Sequence, residues 1–285
     1  MSERVVVTGA AGKLGRAVVQ DLSEHGFSVL ALDRVRPQGW AGDFLQVDLT
    51  DQAQVVEVLA ARTDERSTVP VDAVVHLAAV PAPGLLPNSA TFTNNMPATW
   101  NVFTAARAAG IRRVVWASSE TVLGLPFETP PPYAPVDEEY RPRPESTYSL
   151  VKTLEEELAH HLCRWEPGLS MTGLRFSNVL GPEDYPGFAA WQDDPSVRRW
   201  NLWGYVDSRD GAQAVRRGLA RTEPGVEVCI VAAADTVMER PNAELLAAEF
   251  PGLELRREVG EHETLLSIDK ARRLLGYDPQ FSWRD

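Results

Sequence analysis

Cysteine and lysine are both scarce in this sequence. Cys163 and Cys229 are the only cysteines among 285 residues, far apart and without metal-ligand spacing. That argues against a disulfide framework and a cysteine-based metal site, and reads as two reduced thiols of a cytoplasmic protein, with no metal expected. The lysines are Lys13, Lys152 and Lys270 alone, so a lysine in a chemically meaningful place carries more weight than usual. Basic runs are missing as well, and the net charge is −12, which argues against a nucleic-acid partner. No apolar stretch approaches the ~20 residues needed to cross a bilayer, and the N-terminus enters a strand rather than a signal peptide, so no membrane partner is expected. No internal repeat or low-complexity tract interrupts the chain. What is present is an ordinary globular composition, 44% hydrophobic and 24% charged, on a chain long enough to bury a large core.

The most informative stretch is the first. Val5-Val6-Val7-Thr8 is a β-branched run that ends in Gly9-Ala10-Ala11-Gly12-Lys13-Leu14-Gly15. Apolar positions Leu14, Ala17, Val18 and Leu22 then recur at helical spacing up to His25. A strand that stops at glycines and restarts as a helix leaves the first helical N–H groups unpaired, an end that attracts phosphate. The spacing is Gly-x-x-Gly-x-x-Gly rather than the commoner Gly-x-Gly-x-x-Gly. A second apolar run, Phe27 to Leu32, ends at Asp33, about 20 residues beyond the turn. A carboxylate there accepts hydrogen bonds from adenosine ribose hydroxyls and repels a 2′-phosphate, which favours NAD; Arg34 beside it leaves NADP open.

Strands and helices then alternate. Phe44–Leu49 predicts a third strand with Asp48 near its end, Asp51–Arg62 an amphipathic helix, and Val71–Ala79 a fourth strand closing in small residues. His76 within that apolar run reads as a core histidine. Ser89–Ala109 predicts a helix bent by Pro97, and Arg112–Ala117 a fifth strand followed by Ser118-Ser119-Glu120-Thr121. Leu125–Pro144 is rich in proline and predicts an ordered loop walling the active site. A long helix over Glu145–Trp165 and a sixth strand over Leu169–Phe176 complete an α/β, doubly wound parallel sheet, with ligands beyond the C-terminal ends of its strands. After Gly181-Pro182 the alternation fails. Glu183–Trp203 is irregular, and a helix (Ser208–Arg221), a strand (Val226–Val231), a helix (Pro241–Phe250), a short strand (Leu253–Arg256) and a last helix (Asp269–Leu275) follow. This predicts a nucleotide-binding unit over residues 1–178 and a small, discontinuous C-terminal cap over 179–285, with pieces that return to the sheet.

Tyr148 and Lys152 lie one turn apart on one face of the long helix. A phenol with pKa near 10 is a poor base at neutral pH, and a neighbouring ammonium lowers that pKa enough to make tyrosine a usable acid–base. Ser118 and Ser119, at a strand end, are hydroxyls that could orient a substrate oxygen against Tyr148.

Thr8-Gly9-x-x-Gly12-x-x-Gly15, His76-Leu77-Ala78-Ala79, Ser118-Ser119, Tyr148-x-x-x-Lys152 and Leu174-Arg175-x-x-Asn178-x-x-Gly181-Pro182 occur in this order. As a set they resemble the extended short-chain dehydrogenase/reductases, the NAD-dependent epimerase/dehydratase family, and Asp269-Lys270-Ala271 through Pro279 resembles that family's C-terminus. The resemblance implies a Rossmann fold with bound NAD, Tyr148 as acid–base, Lys152 on the nicotinamide ribose and Ser119 polarising the reacting oxygen. It also implies a cofactor wall of Gly9, Gly12, Lys13, Leu14, Gly15, Asp33, Arg34, Asp48 and Leu49, continued by Leu77, Ala78, Ala79, Asn94 or Asn95, and Ser177. Family members often pair as homodimers through the two long helices.

Two departures narrow the substrate. The dehydratases of the family follow the serines with paired acids, whereas Glu120 is followed by Thr121, so elimination of water is not expected. Nucleotide-sugar epimerases carry a longer stretch than Glu183–Gly204, and the small cap resembles uronate dehydrogenases. The expectation is a dehydrogenase of a small sugar-like substrate (uronate, aldose or polyol) held by Glu120, Asn178 and Arg198 or Arg199. A nucleotide-sugar 4-epimerase and a non-catalytic dinucleotide sensor are the alternatives.

Overall fold

The computed structural model describes residues 2–60 and 70–285. Among these the chain runs β1 (Arg4–Thr8), α1 (Lys13–Glu24), β2 (Ser28–Asp33), β3 (Asp43–Gln46), α2 (Gln52–Leu59), β4 (Ala73–His76), α3 (Asn88–Ala108) and β5 (Arg113–Ser119). It continues with β6 (Tyr133–Ala134), α4 (Thr147–Trp165), β7 (Ser170–Phe176), β8 (Val179–Leu180), β9 (Val206–Asp207), α5 (Ser208–Ala220) and β10 (Gly225–Val231). Last come α6 (Asn242–Glu249), β11 (Glu254–Leu255) and α7 (Asp269–Leu275). The end of the helix expected over Asp51–Arg62 lies outside the described residues.

Strand periodicity explains the layers. Val5 and Val7 of β1, with Val29, Ala31, Val75 and Val115 of its neighbours, pack on the side covered by Val18 and Leu22 of α1 and Val215 and Leu219 of α5. Val6, Leu30, Leu32, Val74, Val114 and Trp116 face the other way, against Val55 and Leu59 of α2, Val102 and Phe103 of α3 and Leu162 of α4. Both faces of the strands are therefore covered, as a parallel sheet requires. The main sheet has the order β10-β7-β5-β4-β1-β2-β3 and every pairing in it is parallel. Because β1 pairs with both β2 and β4, the winding reverses there, and a crevice opens beyond the C-terminal ends of β1 and β4.

The strand expected over Val226–Val231 is β10, a piece of the C-terminal segment that returns to the main sheet, beside β7 in register from Gly225 opposite Ser170 to Val231 opposite Phe176. Its second half, Val228 to Val231, is buried, as in the other strands covered on both faces. The third strand stops at Gln46 instead of reaching Leu49, because Asp48 turns to accept from the N–H and hydroxyl of Thr50. Asp51 then caps α2 by accepting from Ala53 and Gln54 N–H. The proline-rich loop is ordered, as expected. Leu125, Phe127, Tyr133, Ala134 and Val136 in it are buried, and β6 pairs with β11. The irregular stretch after Gly181 folds into two 3₁₀ segments, Pro182–Trp191 and Pro195–Asn201. No helix among the described residues is long and apolar enough to cross a membrane.

Candidate active site

A cavity of about 890 Å³ runs along the C-terminal edge of the sheet, from Asp33 and Arg34 at one end to Asn178, Val179 and Trp200 at the other. At its first end the glycine turn comes close to the β4 edge. Gly9 has φ +69° and a Cβ there would lie 2.6 Å from the Ala78 backbone nitrogen; a Cβ on Gly15 would lie 2.1 Å from the Gly9 carbonyl oxygen. Only glycine fits either position. α1 starts at Gly12 with no side-chain cap and no acid in its first turn, which leaves its first N–H groups to a ligand. The Asp33 carboxylate is fixed beside the turn by accepting from Ala11 N–H at 2.9 Å and Arg34 N–H at 2.7 Å. The Arg34 guanidinium donates to Asn94 Oδ1 at 2.8 Å, across the groove, and lies 3.5 Å from Asp48. Lys13 forms an ion pair with Asp184, tying the turn to the segment after Gly181. Leu49, Leu77, Ala78 and Ala79 line the walls, with Val80 to Pro83 beyond them.

In the middle stand the candidate reacting groups. Ser119 Oγ accepts from Thr121 N–H at 3.2 Å and Thr121 Oγ1 at 3.0 Å, which leaves its own proton free to donate. Tyr148 is buried, and burial raises its pKa above the ordinary phenol value; the Lys152 ammonium and the Ser119 hydroxyl pull it down, but by less. Proximity to lysine was expected to dominate and does not. Lys152 Nζ donates to Ala117 O at 2.8 Å and to Glu155 Oε2 at 2.9 Å, so a carboxylate offsets its charge. Burial opposes the ammonium, yet Glu155, Tyr148 and Glu156 together hold the Lys152 pKa above the usual lysine value.

Glu120, Ser177 and Asn178 follow. Glu120 is 3% exposed and accepts from Ser177 Oγ at 2.6 Å and Asn201 Nδ2 at 3.1 Å. Burial pushes its pKa up to about 7, against the pull of Ser177, Asn201 and Arg198. Asn178 Oδ1 accepts from Arg198 Nη1 at 2.9 Å.

Four expected roles fail on geometry. Asp48 does not line the cavity, because its carboxylate is spent on Thr50. Asn95 is buried behind the wall and pairs with both the N–H and the C=O of Val80, so Asn94 is the asparagine that faces the groove. Arg198 is 6% exposed and does not line the cavity. Its guanidinium is stacked 4.6 Å from the Trp191 ring and 4.9 Å from the Trp200 ring, and Nη2 donates to Gly204 O. The alternative, Arg199, is also outside the cavity; its guanidinium stacks on Phe250 and its Nε lies 3.6 Å from Glu249. Ser118 donates its proton to Glu156, which forms two further hydrogen bonds with Arg175, so only Ser119 is left for a ligand. His76 is the core histidine expected, held by Thr8 and Thr99 and driven by burial to a pKa of about 3.

The family described as NAD dependent epimerase/dehydratase matches residues 5–192. The chain belongs to that family. An L-arabinose 1-dehydrogenase (NAD(P)(+)) of Haloferax volcanii is 30% identical over 230 residues, 78% of this chain and 84% of that protein. A solved UDP-galactose 4-epimerase is 26% identical, with TM-score 0.69 over 98% of this chain and 94% of that one. A solved mutated uronate dehydrogenase shares the fold, at 24% identity and TM-score 0.69 over 100% of this chain and 84% of that one. The chain spans about half the length of the first curated relatives it matches, UDP-glucose 4-epimerases of Oryza sativa subsp. japonica at 29–30% identity. Because 94% of the solved UDP-galactose 4-epimerase is covered, the short segment after Gly181 separates this family member from epimerases less than its sequence suggests.

Residues that the sequence motifs did not single out also shape the site. Thr50, Val80 to Pro83 and Trp200 line the cavity, and Asn201 holds Glu120. Asn201 and Trp200 fall in a stretch without periodicity, where only the clustering of tryptophans was a signal. Glu155 had none, because a glutamate on a long helix ordinarily faces water.

Proposed function

We propose that the protein is an NAD-dependent oxidoreductase that oxidises or reduces a small, uncharged sugar or polyol. One observation carries the reading. Tyr148, Ser119 and Lys152 meet midway along a cavity whose far end is walled by Glu120, Ser177, Asn178 and Trp200, with no free cation there among the described residues. A uronate would place its carboxylate beside Glu120, a buried acid whose ionisation it would oppose further, and Arg198, the nearby guanidinium, is engaged by Asn178 and two tryptophans. An uncharged polyol needs only acceptors and donors, which Glu120 and Asn178 supply, and an aromatic wall, which Trp200 supplies.

The residues at the other end fit a dinucleotide: an uncapped helix start, a floor of Gly9, Gly12 and Ala78, and a fixed carboxylate at Asp33. Asp33 retains acceptor capacity for ribose hydroxyls, and the Arg34 guanidinium is occupied by Asn94, which favours NAD over NADP. The cofactor supplies or takes the hydride when bound. Tyr148 gives or takes the hydroxyl proton, Ser119 donates to the same oxygen, and Lys152, with two of its three N–H groups spent, keeps one for the nicotinamide ribose. Residues 1–178 hold the cofactor and the reacting groups in this reading, and their Glu120, Ser177 and Asn178 share the substrate with Trp200 of 179–285. The exposed Phe92 and Trp100 of α3 and Leu150, Leu154 and Trp165 of α4 support pairing into a homodimer through those helices. The two buried, free cysteines accord with a reducing, cytoplasmic setting.

A 4-epimerase acting on a nucleotide sugar is the second reading, favoured by the coverage of the solved UDP-galactose 4-epimerase. Mixing the protein with NAD and a panel of free aldoses, polyols and hexuronates decides between them. Net NADH from neutral sugars is the expected result. Interconversion of UDP-sugars without net NADH, and no release from free sugars, would replace this reading with the epimerase.

A further inference from the structure

Behind the cavity wall lies a file of buried polar groups that the reaction outlined above does not use. Glu155 has no exposed surface, and Lys152 beside it is 3% exposed. One Glu155 oxygen accepts from Lys152 Nζ at 2.9 Å and the other from Thr99 Oγ1 at 2.8 Å. Thr99 has a single proton, and it is spent on Glu155. Its oxygen, 3.1 Å from His76 Nε2, must therefore accept, which puts the imidazole proton on Nε2. His76 Nδ1 is then an acceptor, and Thr8 Oγ1 donates to it at 2.8 Å. Thr8 is the last residue of β1, and its hydroxyl oxygen also faces the N–H groups of Leu77 and Ala78 at 3.2 and 3.3 Å. The donors thus run one way, from the strand end beneath the glycine turn to the carboxylate, and Lys152 closes the file from the other side.

A buried carboxylate costs several kcal/mol unless it is paired and saturated, and this one is both. Apolar side chains of the same helix, Ala159 and Leu162, pack into the core along the rest of α4. We propose that Glu155 is a positioning residue of the reacting centre, which anchors the Lys152 ammonium and offsets part of the charge that it presents to Tyr148. This rests on the reading of Tyr148 and Lys152 as the reacting pair.

The charges around that pair come from four elements. α4 brings Lys152, Glu155 and Glu156 to it, and the turn after β5 brings Glu120. β4 adds His76, which is neutral, and β7 adds Arg175, which is committed to Glu156. Among these, Glu155 is the carboxylate in direct contact with the ammonium. Removing its charge leaves Lys152 to act on the phenol unopposed, and Tyr148 then loses its proton at lower pH.

The test needs no substrate. Tyrosinate absorbance is followed through an alkaline titration of the chain, with Tyr148→Phe subtracted to isolate Tyr148, over the pH range in which each protein melts cooperatively. Glu155→Gln is expected to move the Tyr148 titration down by about one pH unit, a tenfold change in proton affinity. Glu155→Asp, which keeps the charge, should titrate near the parent. If Glu155→Gln does not fold, Glu155→Leu removes the same charge without adding a polar group and is read in the same way. Tyr148 titrating alike with and without the carboxylate would overturn the proposal, and leave Glu155 a merely structural group. Failure of every free sugar to yield NADH would strike the substrate reading and leave this measurement standing.

Discussion

The two ends of the cavity are built differently. The end proposed for the cofactor is made of backbone and small side chains: Gly9, Gly12, Gly15 and Ala78, with a single carboxylate at Asp33, drawn from short consecutive stretches at strand ends. The end proposed for the substrate is made of side chains that hold one another. Glu120 from the turn after β5 is gripped by Ser177 beyond β7 and by Asn201, and Arg198 reaches back to Asn178 from between two tryptophans. The first kind of site depends on where the chain can bend. The second depends on which distant residues meet, and its buried acid makes it sensitive to pH. One end is generic to a fold that binds dinucleotides, and the other is where a family member acquires its own substrate.

The sharpest way to break this division lies at the boundary between the ends. Tyr148→Phe removes one oxygen and no packing. Turnover should fall by about 10²–10⁴-fold, with NAD affinity by calorimetry within a factor of a few of the parent. Unchanged turnover would mean that Tyr148 is not the acid–base. If the parent itself turns over no sugar but binds NAD, a non-catalytic sensor replaces the enzyme.

The substrate end should show itself next, through stability. Glu120 holds its proton in the folded chain up to about pH 7, whereas the free carboxyl loses it near 4.5. Between those values unfolding releases a proton, so this group makes stability fall as pH rises, by about 3 kcal/mol in all, with no further change above pH 7. Glu120→Gln should be the more stable protein at pH 8 and should lack that slope in chemical denaturation. Equal slopes in the two proteins would mean that Glu120 ionises freely. At the cofactor end, Gly9→Ala forces a Cβ against the Ala78 backbone at a left-handed φ, and is expected to cost about 1–3 kcal/mol, read as a lower melting temperature and weaker NAD binding.

The same contrast explains what could be read from the sequence. Parallel strands buried on both faces announce themselves as apolar runs, and glycines at a strand end announce a turn, so the sheet, the crevice and many of the residues that line it were legible. Asp48 and Asn95 misled because each lies one residue from a wall position, and the choice depends on whether the side chain turns to Thr50 or Val80. Which strand β10 returns to was not legible, because nothing local in Gly225–Val231 says that its neighbour is β7, about 50 residues earlier. Arg198 was expected to face the substrate because its partners, Trp191, Trp200 and Gly204, are brought around it only by folded 3₁₀ segments. Glu155 was invisible for a related reason. Its partner Thr99 is on another helix, and only tertiary packing turns a helical glutamate inward.

The smallest expected effect tests whether the cofactor end discriminates at all. Asp33 accepts from Ala11 N–H on one oxygen and from Arg34 N–H on the other, so the single carbonyl oxygen of Asp33→Asn can keep only one of these two bonds. The change removes the negative charge that would meet a 2′-phosphate and weakens acceptance from ribose hydroxyls. NAD affinity should fall roughly tenfold while NADP affinity rises a few-fold, both measured by calorimetry without substrate. Arg34 limits the gain for NADP, since its guanidinium must leave Asn94 before it can meet a phosphate. Asp33→Asn combined with Asn94→Ala should therefore raise NADP affinity beyond the single variant. If the second substitution adds nothing, the bond across the groove does not hold Arg34 back, and the preference for NAD rests on the Asp33 charge alone.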